Sequence, residues 1–100
     1  MTTITFERSG GIIGNEIQLE LDLNSLPDDE SQYLLRLISE AEFFNIPENL
    51  ASNSTPDEFQ YRITVDAGNT SHTVRVTDTT MPKSLSTLVK ELTMLKILES

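Results

Sequence analysis

The feature that most constrains this chain is the alternation of apolar and polar residues in two separated stretches. Residues 17–23 read IQLELDL and residues 59–65 read FQYRITV, so every second side chain is apolar in both. Because side chains along a β-strand point alternately to the two faces of a sheet, this period predicts two half-buried strands. Shorter alternations at 3–7 and 73–77 predict two more strands. The turn-forming residues 66–69 favour a hairpin between the last two.

Two further segments have the spacing of an amphipathic helix. The first follows Ser25-x-x-Asp28, which resembles a capping box, and Pro27 is tolerated in a first helical turn. Its predicted apolar face consists of Leu34, Leu37, Ile38 and Ala41, widened by Tyr33 and Leu35. The second helix begins at Pro82, and its predicted apolar face consists of Leu85, Leu88, Val89 and Leu92. We expect the polar stretch 45–58 to be an exposed loop.

These elements predict one α+β domain over residues 1–100. The order is ββαββα, with a four-stranded antiparallel sheet and two helices packed on one of its faces. A chain of 100 residues is long enough for one modest core.

The charge balance and the cysteine count exclude several classes of function. Sixteen acidic residues against seven basic ones give a formal net charge of -9, which disfavours nucleic acid and anionic membranes as partners. The chain has no cysteine, so disulfides and thiolate metal sites are excluded. No secretory signal or membrane-spanning run is visible, and we expect a cytoplasmic protein that is monomeric when free. We expect no cofactor and no metal.

The sequence offers little that points to catalysis. Asp28–Glu30 form an acidic cluster, but the positive end of a helix dipole explains it without any function. His72 is the one histidine, and Ser9 stands before two glycines without a nucleophile-elbow pattern. We therefore predict no catalytic residue. A small hydrolase that uses His72 with Asp or Ser partners stays open as a minor alternative.

A glycine-rich segment interrupts the first strand pair. Ser9, Gly10 and Gly11 are followed by Ile12 and Ile13 and then by Gly14. The segment runs from strand to strand and lacks the helix N-terminus that a phosphate loop uses. A plain hairpin connection explains the glycines. An exposed apolar pair held between glycines is alternatively a candidate anchor for a protein partner.

Several blocks of the sequence carry a family resemblance that runs in order over nearly the whole chain. They are Ile4-Thr5-Phe6-Glu7-Arg8-Ser9-Gly10-Gly11, Asp22-x-x-x-Leu26-Pro27, Phe43-Phe44-x-x-Pro47, Phe59-Gln60-Tyr61-Arg62-Ile63-Thr64-Val65, His72-Thr73-Val74 and Asp78-Thr79-Thr80-Met81-Pro82. Together they resemble the emfourin family of small bacterial protein inhibitors. The resemblance implies an α+β inhibitor that blocks the active-site cleft of thermolysin- and protealysin-like (M4) zinc metallopeptidases stoichiometrically.

The resemblance and the glycine-rich segment together suggest which residues meet the peptidase. We predict that the partner-binding loop consists of Arg8, Ser9, Gly10, Gly11, Ile12, Ile13 and Gly14, with Met1–Thr3 as an auxiliary. Enzymes of the thermolysin class favour a bulky apolar residue just after the cleaved bond, and Ile12 or Ile13 would fill that pocket. The alternative function is a generic acidic protein-interaction module with no peptidase target.

One charged group remains on the polar side of the predicted sheet. Arg62 and Arg75 stand against Glu20, and they form either cross-strand ion pairs or a second binding surface. Exposed sheet faces usually carry cross-strand ion pairs, so we expect pairing with Glu20.

Overall fold

The computed structural model describes residues 2–10, 16–49 and 58–99, and within these residues it contains four strands and two α-helices. The elements are β1 (Thr3–Gly10), β2 (Ile17–Asp22), α1 (Asp28–Glu40), β3 (Phe59–Asp66), β4 (Ser71–Thr77) and α2 (Lys83–Glu99). Short 3₁₀ helices at Leu23–Ser25 and Phe43–Asn45 flank α1. The predicted α+β class and the order ββαββα are confirmed. Among the described residues, neither helix is long and apolar enough to cross a membrane.

The four strands form one antiparallel sheet in the order β2-β1-β3-β4. Strands β1 and β3 are therefore central. They pair with each other, and each also pairs with the strand that follows it in sequence. Phe6 lies opposite Leu19 on one side and Ile63 on the other. Ile63 in turn lies opposite Val74 on β4. Each row of this kind crosses the whole sheet, so the alternation seen along each strand becomes one continuous apolar face.

The two helices cover that apolar face. The predicted helical core residues Leu34, Leu37, Ile38, Ala41, Leu85, Leu88, Val89 and Leu92 are all buried, as expected. They belong to the same core cluster as Ile4, Phe6, Ile63 and Val74 of the sheet. Leu35 was expected to widen the apolar face of α1, and this is wrong. Its side chain is 43% exposed, because it lies beyond the stripe that the sheet and α2 can cover.

The opposite face of the sheet is open and polar. Arg62 forms an ion pair with Glu7, which lies directly opposite it on the neighbouring strand β1. The expected pairing with Glu20 is wrong, because Glu20 lies opposite Thr5, which is two residues from Glu7 along β1. Arg75 lies opposite Arg62 on the other side. Ion pairing on this face is therefore present, with a different carboxylate as the partner.

Three local predictions also differ from the structure. Ser25 ends a 3₁₀ helix and does not cap α1; Pro27 takes the N-cap position, without a side-chain cap. The first interruption begins later than expected, since Ser9 and Gly10 still belong to β1. The stretch after Phe43–Asn45 is not wholly exposed either, because Ile46 is buried in the core. Burial of this one apolar side chain holds the start of the polar stretch against the core.

Candidate functional site

Three separate parts of the chain meet at one end of the sheet, here called the loop end. Strand β1 finishes there at Gly10, and β3 begins there with Phe59 directly opposite. Strand β4 also finishes there, and the turn that leads to α2 follows it with Asp78. The predicted partner-binding loop leaves the sheet from this end.

Arg8 does not point away from the loop end toward a partner. The alternation along β1 places it on the same side of the strand as Ile4 and Phe6, on the core face. Its guanidinium carbon lies 4.4 Å from the centroid of the Phe59 ring, within the range of a cation–π contact. Its Nε atom is buried and makes no hydrogen bond to the part of the chain that the structure describes. Arg8 therefore contributes to the support under the loop.

Gly10 is held close to the neighbouring strand. Its backbone has φ 86°, a conformation that side chains strongly disfavour. A Cβ atom at this position would lie 3.0 Å from the main-chain carbonyl oxygen of Glu58. Both observations favour glycine here, and the short distance to Glu58 reflects the close pairing of β1 with β3 at the point where the loop begins.

Asp78 connects the turn after β4 to the first residues of β3. Its Oδ1 accepts a hydrogen bond of 2.9 Å from the hydroxyl of Tyr61, and its Oδ2 accepts one of 3.2 Å from the Phe59 amide. Burial, reinforced by the hydrogen bond to Asp78 and its negative charge, raises the pKa of Tyr61 to about 12. The nearby Arg8 guanidinium acts in the opposite direction.

A second contact joins the same two parts of the chain, the turn after β4 and the start of β3. The Glu58 side chain accepts a hydrogen bond of 3.2 Å from the Thr79 amide. Sequence reasoning missed these contacts, because the partners are 17 to 21 positions apart and no short-range spacing connects them. In the sequence, Asp78 and Tyr61 belong to separate blocks, and Tyr61 is otherwise one of the alternating apolar residues of the predicted strand at 59–65.

The structure thus brings together part of the predicted site. Arg8, Ser9 and Gly10 are the last three residues of β1. Ser9 is on the open face, opposite Gln60. Gly11, Ile12, Ile13 and Gly14 lie outside the described residues, so their role in binding stays a prediction.

His72 has a structural environment far from the loop end. Its Nε2 donates a hydrogen bond of 2.7 Å to the main-chain carbonyl of Ile46, and its ring packs edge-on against Phe43. Ser9 lies in the same row of the sheet as Thr77 of β4. His72 lies five residues before Thr77, so His72 and the row of Ser9 are about 17 Å apart along the strand direction. His72 faces the core and Ser9 the open face, so the two cannot act together as base and nucleophile. Among the described residues, no group of three or more His, Asp or Glu side chains could hold a metal.

Of the comparisons with known proteins, the match to a family model supports the resemblance seen in the sequence. A search of curated proteins finds no match. One solved structure, "Emfourin (M4in) from Serratia proteamaculans, M4 family peptidase inhibitor", is similar, with 19% sequence identity and a TM-score of 0.49. The alignment covers 87% of this chain and 84% of that one. The family model for emfourin matches residues 6–93, a span that includes most of β1, all of β2, β3 and β4, and most of α2. The chain therefore belongs to the emfourin family.

Proposed function

We propose that this protein is a stoichiometric inhibitor of M4 zinc metallopeptidases, acting as a monomer that occupies the active-site cleft of one enzyme. The observation that carries the proposal is the family match over residues 6–93. The protein needs no catalytic residue and no cofactor for this activity, since blocking a cleft is a matter of shape and affinity.

The main inhibitory segment is Arg8–Gly14. It begins at the loop end of the sheet, where Gly10 is held against β3 and Arg8 is packed on Phe59. Its two ends lead into β1 and β2, which are paired up to Arg8 and Ile17. A loop held at both ends by strands loses less conformational entropy on binding, and after cleavage its ends would separate reluctantly. These features suit a loop that must occupy a peptidase without being consumed by it.

The inhibition is steric, with the peptidase zinc left in place. Because the chain contains no cysteine, it has no thiolate with which to extract the metal. Ile12 or Ile13 supplies the bulky apolar side chain that fills the pocket just after the scissile position. Glycines on both sides let the main chain approach the cleft closely.

The experiment that tests this function is a titration of the protein into a thermolysin-like peptidase, with a peptide substrate and a fixed excess of zinc. The gene next to this one is the best source if it encodes such an enzyme, and thermolysin is the fallback. We expect activity to fall to near zero at a 1:1 molar ratio and to stay there when zinc is added. If the neighbouring enzyme keeps its activity at a tenfold excess of the protein, the proposed function is wrong.

A double variant, Ile12→Asp with Ile13→Asp, tests the segment itself. Loss of a central apolar anchor should weaken inhibition by about 2 kcal/mol or more, a factor of roughly thirty. The matched control is Leu35→Asp with Met94→Asp, which makes the same chemical change at two exposed apolar residues on the helices. If both double variants inhibit within about twofold of the wild type, Ile12 and Ile13 are not the anchor.

A further inference from the structure

Asp78 uses both carboxylate oxygens on the same short part of β3. Oδ1 accepts from the Tyr61 hydroxyl at 2.9 Å and Oδ2 from the Phe59 amide at 3.2 Å. Charge-assisted hydrogen bonds of this kind are stronger than neutral ones. A single side chain from the turn after β4 therefore fixes both the main chain and a side chain at the start of β3.

The start of β3 is also the surface against which the inhibitory segment begins. Phe59 lies opposite Gly10 in the sheet register, and its ring carries the Arg8 guanidinium. The carbonyl of Glu58 closes on the Cα of Gly10 so tightly that a Cβ would come within 3.0 Å of it. Any shift in Glu58 or Phe59 is therefore passed on to the first residues of the segment.

Hydrogen bonds within the turn that carries Asp78 also fix its conformation. Thr77 is completely buried, and its amide donates a 2.8 Å hydrogen bond to the Thr80 hydroxyl. The hydroxyls of Thr77 and Thr80 lie 3.0 Å apart. The Thr79 amide bonds to the Glu58 side chain, so the turn meets β3 on two sides. Asp78 is exposed apart from its hydrogen bonds, and it contributes little to the apolar core.

From this arrangement we infer that Asp78 is a positioning residue for inhibition: it holds the start of β3 in place, and through Phe59 and Glu58 it fixes the base of the inhibitory segment. This inference rests on the proposed function. Ser9 and Gly10 are then held in place by folding, so that less of their conformational entropy is lost when the peptidase binds.

The test compares Asp78→Ala with Asp66→Ala in the full-length protein. Asp66 is also exposed, and its Oδ1 also accepts from a main-chain amide, that of Gly68 at 2.9 Å. It lies at the opposite end of β3, so the control removes the same charge and a similar hydrogen bond far from the segment. A third variant, Asp78→Asn, keeps one acceptor oxygen and should restore part of the lost function.

Two measurements are made on each variant. The first is amide hydrogen exchange at Ser9 and Gly10 in the free protein, which requires no peptidase. The second is the dissociation rate of the peptidase complex, with thermal unfolding as the measure of general stability. We expect Asp78→Ala to raise both rates by about tenfold relative to Asp66→Ala at a similar unfolding temperature.

Each outcome decides a different point. Equal exchange at Ser9 and Gly10 in the two alanine variants would show that Asp78 does not hold the segment base, and the inference would fail. Faster exchange with unchanged dissociation would also overturn it, because the contact would then serve folding alone. Failure of the proposed function is seen separately, in a wild-type protein that inhibits no thermolysin-like enzyme.

Discussion

The two ends of the sheet are held together in different ways. At the hairpin end, the hydrogen bonds that close the turn from β3 into β4 are local. The Asp66 carboxylate accepts from the amide of Gly68, and the Ala67 amide donates to the carbonyl of Thr70 at 2.8 Å. At the loop end, the hydrogen bonds of Asp78 and Glu58 join residues 17 to 21 positions apart.

This difference teaches what each end is suited to do. Local hydrogen bonds close a turn at little cost in loop entropy, but they fix only the few residues that make them. The non-local bonds of the loop end form only once β3 and β4 are paired, and they then fix the start of β3, against which Gly10 of β1 lies. A segment that must keep its shape in a peptidase cleft needs the second kind of support. The proposed inhibitory segment, Arg8–Gly14, begins at the end of the sheet that has it.

The largest effect should come from replacing the glycine at each end by alanine. Gly10 and Gly68 both have positive φ, 86° and 94°, so both substitutions strain the backbone by about 1–2 kcal/mol. Gly10→Ala also presses a Cβ against the Glu58 carbonyl, which should bring its total cost to about 3 kcal/mol. The measurement is the urea midpoint of each variant. Equal losses would show that the loop end is no more closely packed than the hairpin end.

Raising the pH should weaken the loop end selectively, through Tyr61. Its pKa is about 12 in the folded protein against an ordinary value of 10, so folding favours the neutral phenol. The resulting stability is complete below pH 10 and is lost as the pH rises to 12, a total of about 2–3 kcal/mol. Urea unfolding at several alkaline pH values should show this loss in the wild type.

The control for this prediction is Tyr61→Phe, which has no phenol to ionise at this position. It should be less stable than the wild type at pH 8 but should lack this part of the alkaline decline. A decline of equal size in both proteins would mean that ionisation of Tyr61 does not weaken the loop end. Absorbance of the phenolate in a Tyr33→Phe background follows the ionisation of Tyr61 alone.

The sequence separation of the interacting residues determines which parts of this structure were predictable. The alternation in β2 and β3 and the helical spacing of α1 and α2 are local, and they identified the elements and most of the core. The ion-pair partner of Arg62 was not predictable. Alternation shows which face of the sheet a residue is on, but it does not show which strand lies beside it. Only the order β2-β1-β3-β4 places Glu7, and not Glu20, beside it.

The same limit applies to the candidate site. Glycines and two isoleucines in an interrupted strand pair pointed to Arg8–Gly14, since each is visible within a few residues. That Arg8 turns inward onto Phe59 depends on how far β1 continues, and the strand extends to Gly10. Asp78 was seen only as the first residue of the block before the second helix, because Phe59 and Tyr61 become its neighbours only when β3 pairs with β4.

The smallest effect on inhibition should come from His72, which is a non-local contact at the hairpin end. Its Nε2 bonds to the Ile46 carbonyl, 26 positions away, and ties the chain after α1 to β4. His72→Ala leaves that buried carbonyl without its donor and should cost about 1–2 kcal/mol of stability.

Inhibition per folded molecule should stay within twofold of the wild type, with the exposed neighbour Ser71→Ala as the control. Inhibition that falls in proportion to the lost stability would mean that any non-local contact supports the segment, whichever end of the sheet it holds. Unchanged inhibition would instead assign that support to the loop end.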